Sequence, residues 1–242
     1  MTERQIKISS YDVYPNSLAK PSALQRYMQQ TAREDCDQAG CTYRFMRERN
    51  TVFVITKLGL EIYRPPEEGE TITIKTYNDS ITGITFDREF EFFSGGDLIA
   101  RCSSLWVLVK YDDRTLVRPR SFGFDFECAG IHGAPVVELP RAISSEGLIK
   151  RGEREVRLSD LDENDHLNNC VYPDIALDSV AGFDGKSSFV SSATVIFRHE
   201  ARRGDILEIS SSPLENGICR VFARDITSGN PCFESAFGFK SV

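Results

Sequence analysis

The sequence predicts an α+β fold in which one structural unit occurs twice. Each half contains a segment with apolar residues at helical spacing, followed by several segments in which β-branched and apolar residues alternate. A stretch of roughly 30 residues between the halves is rich in proline and glycine and is too long for an ordinary loop. A helix followed by antiparallel strands is typical of a sheet that wraps around a helix.

The first half begins with a short strand and a long helix. Residues 4–10 alternate weakly, which predicts a strand. Pro21 stands where a first-turn proline of a helix would, and Gly40 is a suitable C-terminal cap. Three helix residues are predicted either to line an apolar pocket, together with alternate residues of 51–60, or to belong to the core: Leu24, Tyr27 and Met28.

Four strands are predicted after this helix, at 51–63, 71–77, 87–93 and 98–109. The run of two prolines, two glutamates and a glycine at 65–69 is a turn. Ser94-Gly95-Gly96-Asp97 is a hairpin signal between the last two strands.

The second half repeats the order of the first. Ile62-Tyr63-Arg64 corresponds to Ile196-Phe197-Arg198, and Gly69-Glu70 corresponds to Gly204-Asp205. The loop Asp12–Leu18 corresponds to the loop Asp160–His166. Agreement in the order of elements favours a duplication. We assign residues 1–117 to the first unit, 118–150 to a connector and 151–242 to the second unit.

The loop Asp160–His166 carries groups suited to acid–base chemistry. A strand is predicted at 155–158 and a helix from near Asn169, so the loop joins a strand to a helix. Asp162, Asn164 and His166 stand at alternate positions and would point the same way if the loop were extended. A carboxylate can activate water, a carboxamide can donate to an oxyanion, and an imidazole can transfer a proton near neutral pH. Taken singly, Asp and Asn are also common turn and cap residues.

The string D-x-N-x-H-L-N-N before a helix resembles the signature of plant-type acyl-acyl-carrier-protein thioesterases and their bacterial relatives, and the resemblance covers nearly the whole chain. It implies a tandem (double) hotdog fold, each half an antiparallel sheet wrapped around a long helix. It also implies hydrolysis of a fatty acyl thioester to a free fatty acid, without a cofactor. Asn168 and Asn169 complete the motif and are assigned to substrate binding.

The chemistry is predicted to lie in the second unit alone. The aligned loop of the first unit has Tyr14 and Leu18 where the second has Asp162 and His166. The resemblance also assigns Glu200 to the active site, and the alignment places Pro66 opposite it. His199 is left out, because strand alternation would turn it to the other face.

Water attack is the predicted mechanism. The plant enzymes carry a cysteine directly after the active-site glutamate, whereas this chain has Ala201. Either Glu200 or Asp162 would activate the water, and a direct attack by Asp162 is an alternative. Asn164 and backbone N–H groups at the helix start would stabilise the oxyanion. His166 would orient the water or protonate the leaving thiolate.

Other readings of the nucleophilic and metal-binding residues are less favoured. Cys170 directly follows the motif, but a buried apolar role suits it better than that of a nucleophile. His132, His166 and His199 lack the spacing of metal ligands, so no metal is expected. The seven cysteines are odd in number and include no C-x-x-C pair, which predicts reduced thiols rather than disulfides.

Composition points to a water-soluble protein. Hydrophobic residues make up 40% and charged residues 27% of the chain, and no apolar run is long enough to span a membrane. The first residues lack a signal-peptide core, so a cytoplasmic location is expected, with a removed transit peptide as the alternative. The net charge of −7 without a basic stripe argues against a nucleic-acid partner.

The predicted partner is an acyl carrier protein, which is acidic and calls for a local basic patch. Arg198, Arg202 and Arg203 surround Glu200 and are assigned to substrate binding, although solvated surface charge explains them equally well. A second cluster precedes the motif strand: Lys150, Arg151 and Arg154. Rival functions are an acyl-CoA thioesterase and a non-catalytic acyl-binding protein. The chain is expected to be a monomer or a homodimer, and the sequence does not give the acyl chain length.

Overall fold

The structure is a computed structural model that describes residues 1–242. Its helices are α1 (Pro21–Gln38), α2 (Tyr43–Glu48) and α3 (Tyr172–Asp178). Its strands are β1 (Thr2–Lys7), β2 (Thr51–Ile62), β3 (Thr71–Thr82), β4 (Thr85–Ser94), β5 (Asp97–Lys110), β6 (Leu116–Val117), β7 (Ile149–Glu155), β8 (Ser188–Phe197), β9 (Ile206–Ser211), β10 (Ile218–Asp225) and β11 (Pro231–Ser241).

All eleven strands form one antiparallel sheet whose order is symmetric about its middle. The order is β1-β3-β4-β5-β2-β8-β11-β10-β9-β7, with the short β6 beside β5. The second half therefore mirrors the first, since β7 to β11 take the places of β1 to β5. The two halves meet where β2 pairs with β8, with Gly59 opposite Thr194. This pairing removes two strand edges that would otherwise be open to other chains.

The two aligned loops have the same backbone geometry. In the first half, Tyr14 donates its N–H to the carbonyl of Leu18 at 2.9 Å. In the second half, Asp162 donates to the carbonyl of His166 at 2.8 Å. The residue before the last is left-handed in both loops, with φ 64° at Ser17 and 61° at Asp165. This equivalence supports the duplication that the sequence predicts.

The first-half position that is equivalent to Glu200 lies one residue before the predicted Pro66. Ala19 donates its N–H to the carbonyl of Pro66, and Leu167 donates to the carbonyl of Ala201 in the same way. Pro66 therefore corresponds to Ala201, and Glu200 corresponds to Pro65. The extra residue of the second half therefore lies between Arg198 and Glu200, earlier in the turn than the alignment had placed it.

The core lies between the helices and one face of the sheet. Leu24 and Met28 of α1 are 0% and 2% exposed, and they join buried residues of both halves in one hydrophobic cluster. The helix starts at Pro21 as predicted, and the chain leaves it through Gly40, whose φ of +84° suits glycine. The alternation predicted for the strands of the first half also holds, although β3 extends five residues beyond the predicted end.

Two local predictions in the remaining segments were wrong, and one helix was missed. The strand before the motif is β7, which ends at Glu155, and Leu158–Asp160 is a 3₁₀ turn instead. The second helix, α3, starts at Tyr172, three residues later than predicted, and has only seven residues. The helix α2 was not predicted; its N-cap is Thr42, whose hydroxyl accepts the N–H of Phe45 at 3.1 Å.

The segment between β6 and β7 is anchored to both halves. Its aromatic residue Phe126 packs against Phe53 and Phe86 of the first half, and its residues Phe122 and Phe124 pack against Phe45 of α2.

Farther along, the same segment crosses the sheet face away from α1. Val137 donates its N–H to Ser103 at 2.8 Å, and Ile143 donates to Glu234 in the second half at 3.0 Å. Gly59 allows the close crossing, because a Cβ there would lie 2.8 Å from the carbonyl oxygen of Glu138. The strand β7 begins at Ile149, inside the range assigned to the connector.

Candidate active site

The motif loop is a tight turn and not the extended segment that the spacing suggested. Leu161 and Leu167 form an antiparallel bridge across it. The Asp162 Oδ1 atom accepts the N–H of Asn164 at 2.8 Å and that of His166 at 3.3 Å. The side chains of Asp162, Asn164 and His166 nevertheless line one small cavity, because the turn brings them together.

This small cavity, of about 150 Å³, also contains Glu200. The Nε2 atom of His166 lies 3.2 Å from a carboxylate oxygen of Glu200, and the imidazole is largely buried. The same carboxylate binds Arg114, whose Nε atom lies 2.9 Å from Oε1 and 3.0 Å from Oε2. The structure therefore brings together all four residues predicted to be catalytic, and it adds Arg114 from the first half.

Asp162 and Asn164 each keep one side-chain polar atom without a hydrogen-bond partner in the protein. One is Oδ2 of Asp162, since both backbone bonds go to Oδ1. The other is Nδ2 of Asn164, whose Oδ1 accepts the hydroxyl of Tyr43 at 2.9 Å. Neither atom is fully buried. An acceptor and a donor are thus available to a ligand at the same point of the site.

A larger cavity of about 730 Å³ meets the small one at this point. The two share Val52 and Phe53 of β2 and Asp162, Asn164 and Asn169 of the motif loop. Its volume lies in the range of small-molecule sites. The apolar lining comes from α1, α2, the sheet and the connector: Ala32, Cys36, Cys41, Met46, Phe86, Trp106, Phe124 and Phe126.

None of the three first-helix residues lines the pocket, and the alternative prediction of a core role holds for Leu24 and Met28. Leu24 and Met28 are buried in the core and do not line the cavity. Tyr27 donates its hydroxyl to Asp12 at 2.6 Å instead. The cavity lies against a later part of α1, around Ala32 and Cys36, whereas Val52 and Phe53 come from the range 51–60 that the sequence indicated.

The backbone N–H groups at the helix start are mostly occupied. Asn168 donates to the carbonyl of Asp160 at 2.9 Å, Cys170 to the Asn168 side chain at 2.9 Å, and Val171 to the Asn168 carbonyl at 2.8 Å. Among residues 168–171, Asn169 alone has an N–H without an acceptor in the protein. Asn168 therefore shapes the loop, while Asn169 lines both cavities and keeps a free donor. The carbonyl of Asn169 accepts the buried Gln25 side chain at 3.1 Å.

The basic residues near Glu200 differ in what they can bind. Arg198 lines the small cavity, but its Nε atom pairs with Glu234 at 2.7 Å. Arg202 and Arg203 are exposed, form no ion pair and line neither cavity.

Two of the three residues in the second basic cluster are neutralised by nearby acidic residues. Lys150 pairs with Glu153 and Glu208, and Arg154 pairs with Asp160. Arg151 forms no ion pair and donates its Nε to the Ser211 hydroxyl at 2.7 Å. Of the basic residues that directly follow Glu200 in the chain, Arg202 and Arg203 are both unpaired.

Cys170 and His199, which were not predicted to be catalytic, do lie near the site. Cys170 lines the large cavity, yet its side chain is 1% exposed and burial raises the pKa of its thiol, which disfavours the thiolate. His199 lines the small cavity, but its Nδ1 atom is 3.0 Å from the carbonyl of Pro231. The alternation argument for His199 does not apply, because β8 ends at Phe197.

Two residues that contact the predicted site come from the first half and were missed. Tyr43 begins α2 and binds Asn164, and Arg114 follows β5 and binds Glu200. Neither belongs to a motif, and both are more than 80 residues from their partners. The hydroxyl of Thr42 as an N-cap was the one local signal, since it marks the start of the helix that carries Tyr43.

Comparison with known proteins covers both halves. Residues 1–120 match the family model for the acyl-ACP thioesterase N-terminal domain, and residues 146–233 match that for the C-terminal domain. The chain is 25% identical over 219 residues to a chloroplastic acyl-[acyl-carrier-protein] hydrolase of Cuphea viscosissima, covering 85% of this chain and 53% of that protein. It is 24% identical over 236 residues to the chloroplastic oleoyl-acyl carrier protein thioesterase 2 of Arabidopsis thaliana, covering 87% and 63%. The chain thus spans about half the length of the first of these relatives.

Solved structures with the same fold include an acyl-ACP thioesterase from Bacteroides thetaiotaomicron, with a TM-score of 0.83 and 18% identity over 98% of this chain and 97% of that one. The 12:0-ACP thioesterase from Umbellularia californica gives a TM-score of 0.82 and 20% identity over 99% and 97%. The tandem hotdog fold predicted from the sequence is thereby confirmed. No helix in the structure combines the length and apolar character needed to cross a membrane.

Proposed function

We propose that this chain, which belongs to the acyl-ACP thioesterase family, hydrolyses fatty acyl thioesters to a free fatty acid and a thiol. The observation that carries the proposal is the junction of the two cavities. There the free Asp162 Oδ2 and the free Asn164 Nδ2 stand between an apolar cavity and the His166–Glu200 pair. The acyl chain would occupy the large cavity, and the thioester carbonyl would lie at the junction.

In this mechanism Asp162 is the general base. Its Oδ2 atom is accessible and unpaired, whereas the Glu200 carboxylate is already bound by Arg114 and His166. Asp162 takes a proton from water as the water oxygen attacks the carbonyl carbon. The carbonyl oxygen becomes an oxyanion, which accepts hydrogen bonds from Asn164 Nδ2 and from the N–H of Asn169. Direct attack by Asp162, followed by hydrolysis of an anhydride, is the alternative that the same geometry allows.

His166 and Glu200 act in the later step of the reaction, in which the thiol leaves. Glu200 holds the Nε2 side of the imidazole, which leaves Nδ1 for proton transfer. When the C–S bond breaks, Asp162 passes the proton that it took from water to Nδ1 of His166, and His166 gives it to the leaving sulfur. Both residues thereby regain their starting charge. No covalent cysteine step is needed, since Ala201 follows Glu200 and Cys170 is buried with a raised thiol pKa.

An acyl carrier protein is the partner that we propose to deliver the thioester. Support comes from the family and from the exposed, unpaired Arg202 and Arg203 two and three residues after Glu200. An acyl-CoA substrate is the rival. Lys150, Arg154 and Arg198 are each paired with an acidic residue, so they add little free positive charge for an acidic carrier protein. The assignments of Arg198, Asn168 and Asn169 to substrate binding, the monomeric or homodimeric state, the domain division and the cytoplasmic location stay predictions.

A comparison of matched substitutions in the two halves tests the function. His166→Ala and Glu200→Gln should each reduce turnover of a medium-chain acyl thioester at least ~100-fold, as acid–base groups do. Leu18→Ala, at the position equivalent to His166, is the control and should retain the chemistry. Release of free thiol is the measurement.

Two results would contradict the proposal. Absence of thiol release by the unmodified protein with both carrier-protein and CoA thioesters would favour a binding protein without turnover. Equal losses in Leu18→Ala and His166→Ala would contradict the assignment of catalysis to the second half.

A further inference from the structure

The amide of Asn164 is held by a residue of the other half. Tyr43, the first residue of α2, lies 121 positions earlier in the chain and its hydroxyl is 2.9 Å from Asn164 Oδ1. Burial raises the pKa of Tyr43, so its O–H stays protonated and donates at neutral pH. In the structure the amide oxygen accepts this hydrogen bond, and the amide NH₂ group is left as the part that faces a ligand.

The ring of Tyr43 is itself contacted by two arginines. The guanidinium carbon of Arg33 lies 5.2 Å from the ring centroid, and that of Arg47 lies 6.0 Å from it. Arg33 is anchored to the motif loop through Glu163, with an N–O distance of 2.6 Å. Cation–π contacts of this kind restrict a ring without using its hydroxyl.

The contacts between arginines and tyrosine rings continue from Arg47 to Glu200. Arg47 lies against the Tyr111 ring, at 3.0 Å from its centroid, and Arg114 lies 5.2 Å from that centroid. Arg114 then binds Glu200 at 2.9 Å. One row of alternating arginines and tyrosines from the first half therefore contacts both Asn164 and Glu200. The half that lacks the carboxylate and the imidazole supplies the framework for the half that has them.

We infer that Tyr43 is a positioning residue of the thioesterase site, where its hydroxyl fixes the Asn164 carboxamide so that Nδ2 donates to the oxyanion. The inference rests on the proposed function. A carboxamide that can turn over would present its oxygen to the oxyanion part of the time, and that orientation repels the developing charge. Because stabilisation of this kind depends on donors oriented in advance, loss of the Tyr43 hydroxyl acts on the chemical step and not on acyl binding.

Tyr43→Phe is the direct test, since it keeps the ring and its arginine contacts and removes only the O–H. We expect kcat to fall about tenfold, the size of one hydrogen bond, with KM nearly unchanged. In an Asn164→Ala background the same change should have no further effect, because the two residues act through one group. Tyr63→Phe is the matched control: the Tyr63 hydroxyl binds Glu61 at 3.2 Å on the surface, and its loss should not alter kcat.

Two further measurements separate positioning from a structural role. The unfolding temperature of Tyr43→Phe should match that of the unmodified protein. The side-chain ¹H–¹⁵N signals of Asn164 should shift in Tyr43→Phe and not in Tyr63→Phe. A wild-type kcat in Tyr43→Phe, or losses that multiply with those of Asn164→Ala, would overturn the inference alone. Absence of turnover in the unmodified protein would overturn the proposed function and this role with it.

Discussion

Glu89 is a buried carboxylate, and neutralising it should stabilise the protein at alkaline pH. It lies on β4, next to Arg88, and faces away from α1 because Arg88 binds Asp35 of that helix. The side chain is 2% exposed. Oε2 accepts the hydroxyl of Ser103 at 2.6 Å, whereas Oε1 is buried without a partner. Burial raises the pKa of Glu89 from 4.5 to about 7.

The sign of the pH dependence follows from where the proton is held more tightly. Below pH 4.5 the carboxyl is protonated in both the folded and the unfolded protein, so it adds no pH-dependent penalty. Between pH 4.5 and about 7 only the unfolded protein releases the proton, and the free energy of unfolding falls as pH rises. Above about pH 7 the penalty is complete, on the order of 3 kcal/mol at ~1.36 kcal/mol per pH unit.

Thermal unfolding of Glu89→Gln at pH 5 and pH 8 measures this penalty. At pH 8 the substitution should raise Tm by roughly 6–12 °C, since ~1 kcal/mol corresponds to 2–4 °C in a chain of this size. At pH 5 the change should be small. Glu91→Gln is the control on the same strand and face, because Glu91 is half-buried and pairs with Arg101 at 3.1 Å. Equal stabilisation by Glu89→Gln at both pH values, or a lower Tm at pH 8, would refute the argument.

Four further changes test separate parts of the site. Asp162→Asn should abolish most turnover but leave Tm nearly unchanged, since an amide oxygen can accept the same two backbone N–H groups. Cys170→Ser should keep most activity, and an acyl-cysteine adduct in mass spectrometry would contradict water attack. Ala32→Phe narrows the large cavity and should shift the fatty acids detected by gas chromatography towards shorter chains. Arg202→Glu combined with Arg203→Glu should lower kcat/KM for acyl carrier protein far more than for a small acyl thioester, and added salt should do the same.

The sequence predicted the first half well because its elements bury one face. The helix α1 and the strands β2 to β5 place apolar residues at the period of the element, so their type and order can be read directly. The strand β7 gave no such signal. It is an edge strand of mostly exposed residues, from Ile149 to Glu155, and no core selects an alternating pattern there. The alternate apolar residues Val156 and Leu158 instead predict a strand at 155–158, just after β7.

The candidate site was predictable to the extent that its residues are neighbours in the sequence. Asp162, Asn164 and His166 lie within five positions, and their chemistry suggested a shared role. Tyr43 and Arg114 reach the site only through the packing of the first half on the second. Tyrosine and arginine at partly exposed positions are too common to be singled out without the contact itself, so no sequence pattern identifies them.

The duplication separates what the turn needs from what the chemistry needs. The first-half loop forms the same bridge and the same left-handed residue, yet it has Tyr14 where the second half has Asp162. In the first half the Asn16 side chain accepts the N–H of Leu18 at 3.1 Å, which stabilises the turn without a carboxylate. A carboxylate at Asp162 is therefore not required by the backbone geometry. Its negative charge, with one oxygen left free at the junction of the cavities, is explained better by the reaction than by the fold.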